Sequence, residues 1–239
     1  MSKRAIILAG GQGVRLRPYT LTLPKPMMPL GDYPILEIII KQLASHGFDH
    51  LTLAVNHQAE VIQQYFENGE RWKVKIDYSL EQTPLGTLGP VLQVPDLPEH
   101  FLVMNADVLT DFPFSDCWDE HLAKHSDLTL GVCKREYQSD YGLVKLNEAG
   151  QMIAFEEKPT RVEWVSMGIY LVSRNAIERC VAGERLGFDY LFRQMLDVGN
   201  PPTIFQHEGY WLDIGSPDDY QKASETFSKK KESFLQDIG

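Results

Sequence analysis

The chain has 239 residues, 43% hydrophobic and 23% charged, enough for one large domain or two small ones around an ordinary core. Its 33 acidic and 23 basic residues leave a formal charge of −10, which argues against a protein that holds nucleic acid along its surface. Three widely spaced cysteines, Cys117, Cys133 and Cys180, form no CxxC pair and support neither a disulfide framework nor a structural zinc site, and no stretch approaches the ~20 apolar residues of a membrane span.

Ala5-Ile6-Ile7-Leu8-Ala9 is a short apolar run ending in Gly10-Gly11, the pattern of a buried parallel strand that feeds a glycine turn. It is too short for the apolar region of a secretion signal, so the expected location is the cytoplasm. Ile35 to Ala44 has helical spacing closed by Gly47, and Leu51 to Val55 reads as a second buried strand. Ala59 to Phe66 reads as a helix, Val74 to Tyr78 alternates like a strand, and Phe101-Leu102-Val103-Met104 runs as a buried strand straight into Asn105-Ala106-Asp107. Strands alternating with helices predict an α/β fold: a Rossmann-like, mostly parallel mixed sheet flanked by helices.

Beyond about residue 110 the pattern shifts to strand-like runs at Leu128–Val132, Gly142–Leu146 and Gly168–Val172, separated by turns and short helices. With no linker rich in Pro, Gly or Ser, the expectation is a single domain over residues 1–239. It has a nucleotide-binding half to about 110, a sugar-binding half over 111–225 and a C-terminal helix and tail over 218–239. The tail segment Ser228-Lys229-Lys230-Lys231-Glu232 reads as a solvated end. His121 and His125 lie four apart on an expected helix, but without a third ligand they read as a solvated face. Tyr65, Phe66 and Trp72 read as core rather than as a base-stacking platform.

The chemistry begins at Gly10-Gly11-Gln12-Gly13-Val14-Arg15-Leu16-Arg17-Pro18. Glycines let backbone N–H groups approach phosphate oxygens without Cβ obstruction, and a nearby arginine neutralises them. The run lacks the Gly-Lys-Ser/Thr ending of a Walker loop, and Leu16 stands where a G-x-G-x-x-G motif needs its third glycine. An ordinary tight turn is the plain alternative. Lys25 follows in Pro24-Lys25-Pro26, where two prolines keep it in an extended loop and suit a second phosphate contact.

Together these segments resemble the signature of the sugar-1-phosphate nucleotidyltransferase family. The later motifs recur in the family's order: Glu81 to Gly89, Asn105-Ala106-Asp107, Phe155-Glu156-Glu157-Lys158-Pro159 and Trp211-Leu212-Asp213-Ile214-Gly215. The resemblance spans roughly residues 4–224 and is nearest to mannose- and heptose-1-phosphate guanylyltransferases. It implies triphosphate contacts from Leu8, Ala9, Gly10, Gly11, Gly13 and Arg15, and base contacts from Glu81, Pro84, Gly86 and Thr87. It implies a sugar pocket of Asn105, Gly142, Glu157, Lys158 and Ser166, catalytic cations at Arg15, Lys25 and Lys158, and Mg²⁺ held by Asp107 and Asp213. As lone residues the aspartates read first as helix caps or turn formers, and it is the resemblance that reverses this order. Two carboxylates without His or Cys partners do suit a hard ion whose shell phosphate oxygens complete. Glu157 and Lys158 can share a site only across a bend, which Pro159 makes available. Val14 and Ser166 depart from the threonine and asparagine common at those places.

The partners so implied are a nucleoside triphosphate and a sugar 1-phosphate, with nucleic acid and membrane excluded and self-association left open. Glu81 favours guanine, because a carboxylate accepts from the N1–H and N2–H₂ donors. Uridylyl or thymidylyl transfer on the same fold is the alternative, and a non-catalytic sugar-nucleotide-binding protein is a remoter one. A nicotinamide-dependent oxidoreductase is disfavoured by Leu16 and the Pro-Lys-Pro loop. No hexapeptide repeats of the kind appended to full-length GDP-mannose enzymes are present, so mannose, heptose and amino-sugar 1-phosphates all remain open.

Overall fold

A computed structural model describes residues 2–56 and 58–235. The last four residues of the expected tail lie outside that range. In chain order the first half holds β1 (Lys3–Leu8), β2 (Pro29–Leu30), β3 (Tyr33–Pro34), α1 (Ile35–Ser45), β4 (Phe48–Val55), α2 (Ala59–Phe66), β5 (Lys75–Leu80), α3 (Gly89–Leu92), β6 (His100–Asn105) and β7 (Val108–Thr110). The second half holds α4 (Phe114–Ala123), β8 (Leu128–Gln138), β9 (Leu143–Leu146), β10 (Met152–Glu156), β11 (Thr160–Ser173), α5 (Arg174–Ile177), α6 (Phe188–Asp197), β12 (Thr203–His207), β13 (Trp211–Asp213) and α7 (Pro217–Phe234).

Seven strands form one mixed sheet in the order β12-β8-β11-β6-β1-β4-β5. β6, β1, β4 and β5 are mutually parallel, as β12 is to β8, and β11 alone runs against its neighbours β6 and β8. Alternation along β1 shows how the sheet is sandwiched. Ala5 and Ile7 point into a core shared with α1, α2, α4 and α7, while Ile6 points into a second core with α3, α5 and α6. Burial on both faces explains why these strands read as unbroken apolar runs.

Phe66 and Trp72 are 1% and 5% exposed with ring centroids 5.1 Å apart, as core residues should be. The tail helix is solvated along Ser228–Glu232 but anchored on both sides by buried Phe227 and Phe234. The expectation for His121 fails. It is 0% exposed, with Nδ1 2.8 Å from the Thr129 hydroxyl and Nε2 3.1 Å from His100 Nδ1. Burial first, and His100 second, push its pKa down to about 4, which leaves a neutral core histidine. His125 lies past the end of α4, exposed, with φ +49°.

Candidate active site

Because β6, β1, β4 and β5 are parallel and adjacent, the residues following them emerge in a row at one sheet edge: Asp107, Gly10, Asn56 and Glu81. Ligands bind at this carboxyl edge in open α/β sheets. Three strand spacings of about 4.8 Å make the row about 14 Å long, the scale of an extended nucleotide. A cleft of about 520 Å³ runs along it.

Of the expected nucleotide residues, Leu8, Gly10, Gly11, Glu81, Pro84, Gly86 and Thr87 line this cleft, joined by Asn105 and Asp107. Ala9, Gly13 and Arg15 do not. Ala9 is 2% exposed, and its N–H donates to Ala54 O at 2.8 Å, which ties the turn to β4. Gly13 has φ +59°, and a Cβ there would lie 2.9 Å from Thr20 Cγ2 and 3.1 Å from Lys25 Cβ, so glycine is what lets the loop close onto the lysine. Arg15 is exposed beside Gly215, where a Cβ would lie 3.0 Å from Arg15 Nη2.

The Pro24-Lys25-Pro26 turn buries Lys25 to 7% exposure and aims its ammonium at Asp107, to whose Oδ2 it donates. The other oxygen, Asp107 Oδ1, is buried without a hydrogen-bond partner. Asp213 is brought alongside by β13 pairing with β7, in register Asp213 to Val108, and by Ile214 N–H donating to Asp107 O at 2.9 Å. Burial and then Asp107 push the Asp213 carboxyl above its ordinary range, while Lys25 and Arg15 oppose the shift. An orphaned carboxylate oxygen beside a second, destabilised carboxylate fits a bound cation. Among the described residues no group of three or more His, Cys, Asp and Glu is placed to hold a metal, so protein would supply only the two aspartates. That is the habit of Mg²⁺, which keeps waters and takes substrate phosphates for the rest of its shell.

Glu81 is 9% exposed, not a solvated side chain. Its Oε1 accepts from Leu85 N–H at 2.6 Å, and Asn56 Nδ2 lies 3.5 Å from Oε2. Oε1 therefore holds the loop, and Oε2, with only the long Asn56 contact, is the freer oxygen for a base, half of what two-donor recognition of guanine uses.

The expected sugar residues fall into two groups. Gly168, at φ +69°, packs on Asn105, whose Nδ2 would lie 2.5 Å from a Cβ there, and its N–H donates to Ser166 Oγ at 3.3 Å. This link follows from the register shift in β11 between Ser166 and Tyr170. Gly142, Glu157 and Lys158 belong instead to the segments flanking the β9–β10 hairpin. A Cβ on Gly142 would meet the Phe155 ring at 2.7 Å and Glu157 Oε2 at 3.1 Å. Glu157 and Lys158 form the expected bend, with Lys158 at φ +41°, and both are exposed.

Five cleft residues were not among the expected site residues: Gln12, Ala54, Asn56, Pro90 and Arg185. Asn56 follows a buried strand just as Asp107 does, so the same reasoning could have found it. Arg185 is placed by tertiary packing, because Leu186 N–H donates to Leu85 O and Leu186 O accepts from Leu88 N–H, both at 2.9 Å.

Residues 4–230 match the family described as Nucleotidyl transferase, and the chain belongs to that family. It is 36% identical over 228 residues to a mannose-1-phosphate guanyltransferase of Schizosaccharomyces pombe, and 34% identical over 241 residues to a UTP–glucose-1-phosphate uridylyltransferase of Synechocystis sp.. These alignments cover 91% and 92% of this chain, which spans 62% of the length of each relative. Among solved structures, HddC from Yersinia pseudotuberculosis is similar with a TM-score of 0.74 and 25% identity, covering 94% of this chain and 99% of that one. A Bacillus anthracis chain at 19% identity shares the fold over 100% of this chain and 98% of its own, with a TM-score of 0.77.

Proposed function

We propose that this nucleotidyl transferase joins a sugar 1-phosphate to a nucleoside triphosphate, GTP in preference, releasing pyrophosphate and forming a nucleotide sugar. The observation that carries the proposal is the row of strand ends. It sets a glycine turn, a buried glutamate and an aspartate paired to a buried lysine along one nucleotide-sized cleft, with a second aspartate beside the pair.

An oxygen of the sugar phosphate attacks the α-phosphorus. As that P–O bond forms, the bond to the β-phosphate oxygen breaks, and its electrons leave with pyrophosphate. Such transfer needs positioning and charge neutralisation rather than covalent help. Arg15 steadies the leaving pyrophosphate, Lys25 neutralises the phosphates at the reacting centre, and Lys158 holds the attacking phosphate. Glu157 takes sugar hydroxyls, with Asn105, Gly142 and Ser166 shaping the pocket. Asp107 and Asp213 would hold Mg²⁺, which when bound offsets charge on the phosphate oxygens.

The guanine preference is supported by the Schizosaccharomyces pombe relative and by Glu81 lining the cleft as a carboxylate acceptor. The Synechocystis relative keeps UTP as the second reading, since uracil needs only one acceptor for N3–H. The one seven-stranded sheet supports taking residues 1–239 as a single domain. Free thiols at Cys117, Cys133 and Cys180 support a reducing, cytoplasmic setting. No described helix is long and apolar enough to cross a membrane.

The test is pyrophosphate release from GTP, UTP, dTTP and ATP against mannose, heptose, glucose and amino-sugar 1-phosphates, with and without Mg²⁺. The expected result is Mg²⁺-dependent release, greatest with GTP. No release with any pair would overturn the proposal.

A further inference from the structure

We infer that Lys25 is an internal counter-ion that occupies Asp107 until the triphosphate draws it away, so that the divalent cation enters with the nucleotide rather than ahead of it. This rests on the proposed function and deepens it at the same site.

The argument starts from the cost of an isolated buried charge. Lys25 is 7% exposed in a turn fixed by two prolines, and its ammonium donates to Asp107 Oδ2. A buried cation needs such a partner, so in the ligand-free protein Lys25 has reason to stay on the carboxylate. Asp107 is meanwhile only half used, because Oδ1 is buried and unpartnered. The aspartate thus serves as anchor for the lysine and as ligand for the cation.

Local charge points the same way. The charges acting on Asp213 are Asp107, Lys25, Arg15 and Asp219, so with Asp213 itself three carboxylates face two cations. A divalent cation arriving alone meets a site with two of its three carboxylate charges already offset and an ammonium seated against its ligand, and its arrival leaves an excess of positive charge. A triphosphate reverses both terms. It brings the negative charge that the cation balances, and its oxygens give Lys25 new acceptors, which frees Asp107 Oδ2. Nucleotide and cation then strengthen each other's binding, as reciprocal coupling requires. Lys25 is the element that transmits the coupling.

The experiment measures Mn²⁺ binding by electron paramagnetic resonance, without turnover, for wild type, Lys25→Met, Lys25→Gln and Asp107→Asn. Each is measured with and without a non-hydrolysable GTP analogue, and circular dichroism checks folding. Should Lys25→Met not fold, Lys25→Gln, which keeps a hydrogen-bond donor for Asp107, carries the comparison. Without nucleotide, removing the ammonium should tighten Mn²⁺ binding at least tenfold. The analogue should tighten it more in wild type than in the lysine variants. Unchanged or weaker Mn²⁺ binding by a folded lysine variant overturns the counter-ion role, while loss of binding in Asp107→Asn would leave the metal site standing. Equal Mn²⁺ binding by wild type and Asp107→Asn removes the metal site itself, and the inference with it.

Discussion

Glu81, at the end of β5, is 9% exposed and holds its own loop through Leu85 N–H, whereas Tyr141, just before β9, is 77% exposed. The contrast extends to whole regions. From Asp107 to Glu81 the cleft rests on four parallel strands, three of them buried, and its chief charges already have partners. The β9–β10 hairpin exposes Val144, Leu146, Met152 and Phe155, and the cations and carboxylate beside it include Glu157 and Lys158, both exposed. A two-stranded hairpin has little stability of its own in water. The proposed nucleotide side is therefore preorganised, whereas the proposed sugar side has fewer buried contacts to hold it.

The strongest way to break this comparison is to remove charge from the ordered side. Asp107→Asn should lower turnover by about 10²–10³-fold, as loss of a preorganised electrostatic group does, while the asparagine oxygen still accepts from Lys25. A circular-dichroism melt should show a cooperative transition, and wild-type turnover in this variant would contradict the metal assignment.

The next effect separates the two sides. Lys158→Ala should raise the KM for sugar 1-phosphate about ten- to a hundredfold without changing the melt, because an exposed lysine on a hairpin contributes little to folding. Arg15→Ala should instead weaken the triphosphate and lower kcat. Steady-state kinetics with each substrate varied in turn would show the division, and equal losses from both variants would remove it.

A smaller, sharper change concerns base choice. In Glu81→Gln the amide oxygen can keep the Leu85 N–H bond while an NH₂ replaces Oε2 at the cleft. The GTP:UTP ratio of kcat/KM should then fall about tenfold, one charge-assisted hydrogen bond rather than two. An unchanged ratio would assign base reading to the backbone from Pro84 to Gly86.

The framework beneath the ordered side carries a pH limit, with no direct effect on chemistry. His121 has a folded-state pKa of about 4 against 6.5 unfolded, so the folded protein binds fewer protons as pH falls. Its contribution is intact above pH 6.5 and is lost progressively toward pH 4. Between pH 7 and pH 5 the loss is on the order of 2 kcal/mol. Urea denaturation of wild type and His121→Gln at both pH values should show the smaller pH dependence in the variant.

The sequence and the structure agree where the signal is local. A buried strand followed by glycines or by Asn105-Ala106-Asp107 is legible because burial on two faces leaves an unbroken apolar run and the strand end fixes what comes next. The bend at Glu157-Lys158 was legible from Pro159 for the same local reason. Arg185 was not, because only the packing of Leu186 on the loop from Leu85 to Gly89 brings it to the cleft. His121 was misread because its partners are His100 on β6 and Thr129 on β8, and polar spacing along one helix does not show that. Helix α6 carries a readable i, i+3, i+7 pattern in Phe188, Leu191 and Met195, all buried, in a stretch otherwise read only as turns and short helices. The commitment of Glu81 Oε1 to its own loop is a matter of loop geometry that residue identity does not encode.

The proposed contrast between a preorganised nucleotide side and a less supported sugar side is tested most directly by isothermal titration calorimetry of the free protein. A non-hydrolysable GTP analogue with Mg²⁺ should bind on its own. A sugar 1-phosphate identified by the pyrophosphate screen should give measurable binding only after the analogue is bound. Equal binding of that sugar 1-phosphate with and without the analogue would contradict the account, because the hairpin side would then be as preformed as the cleft.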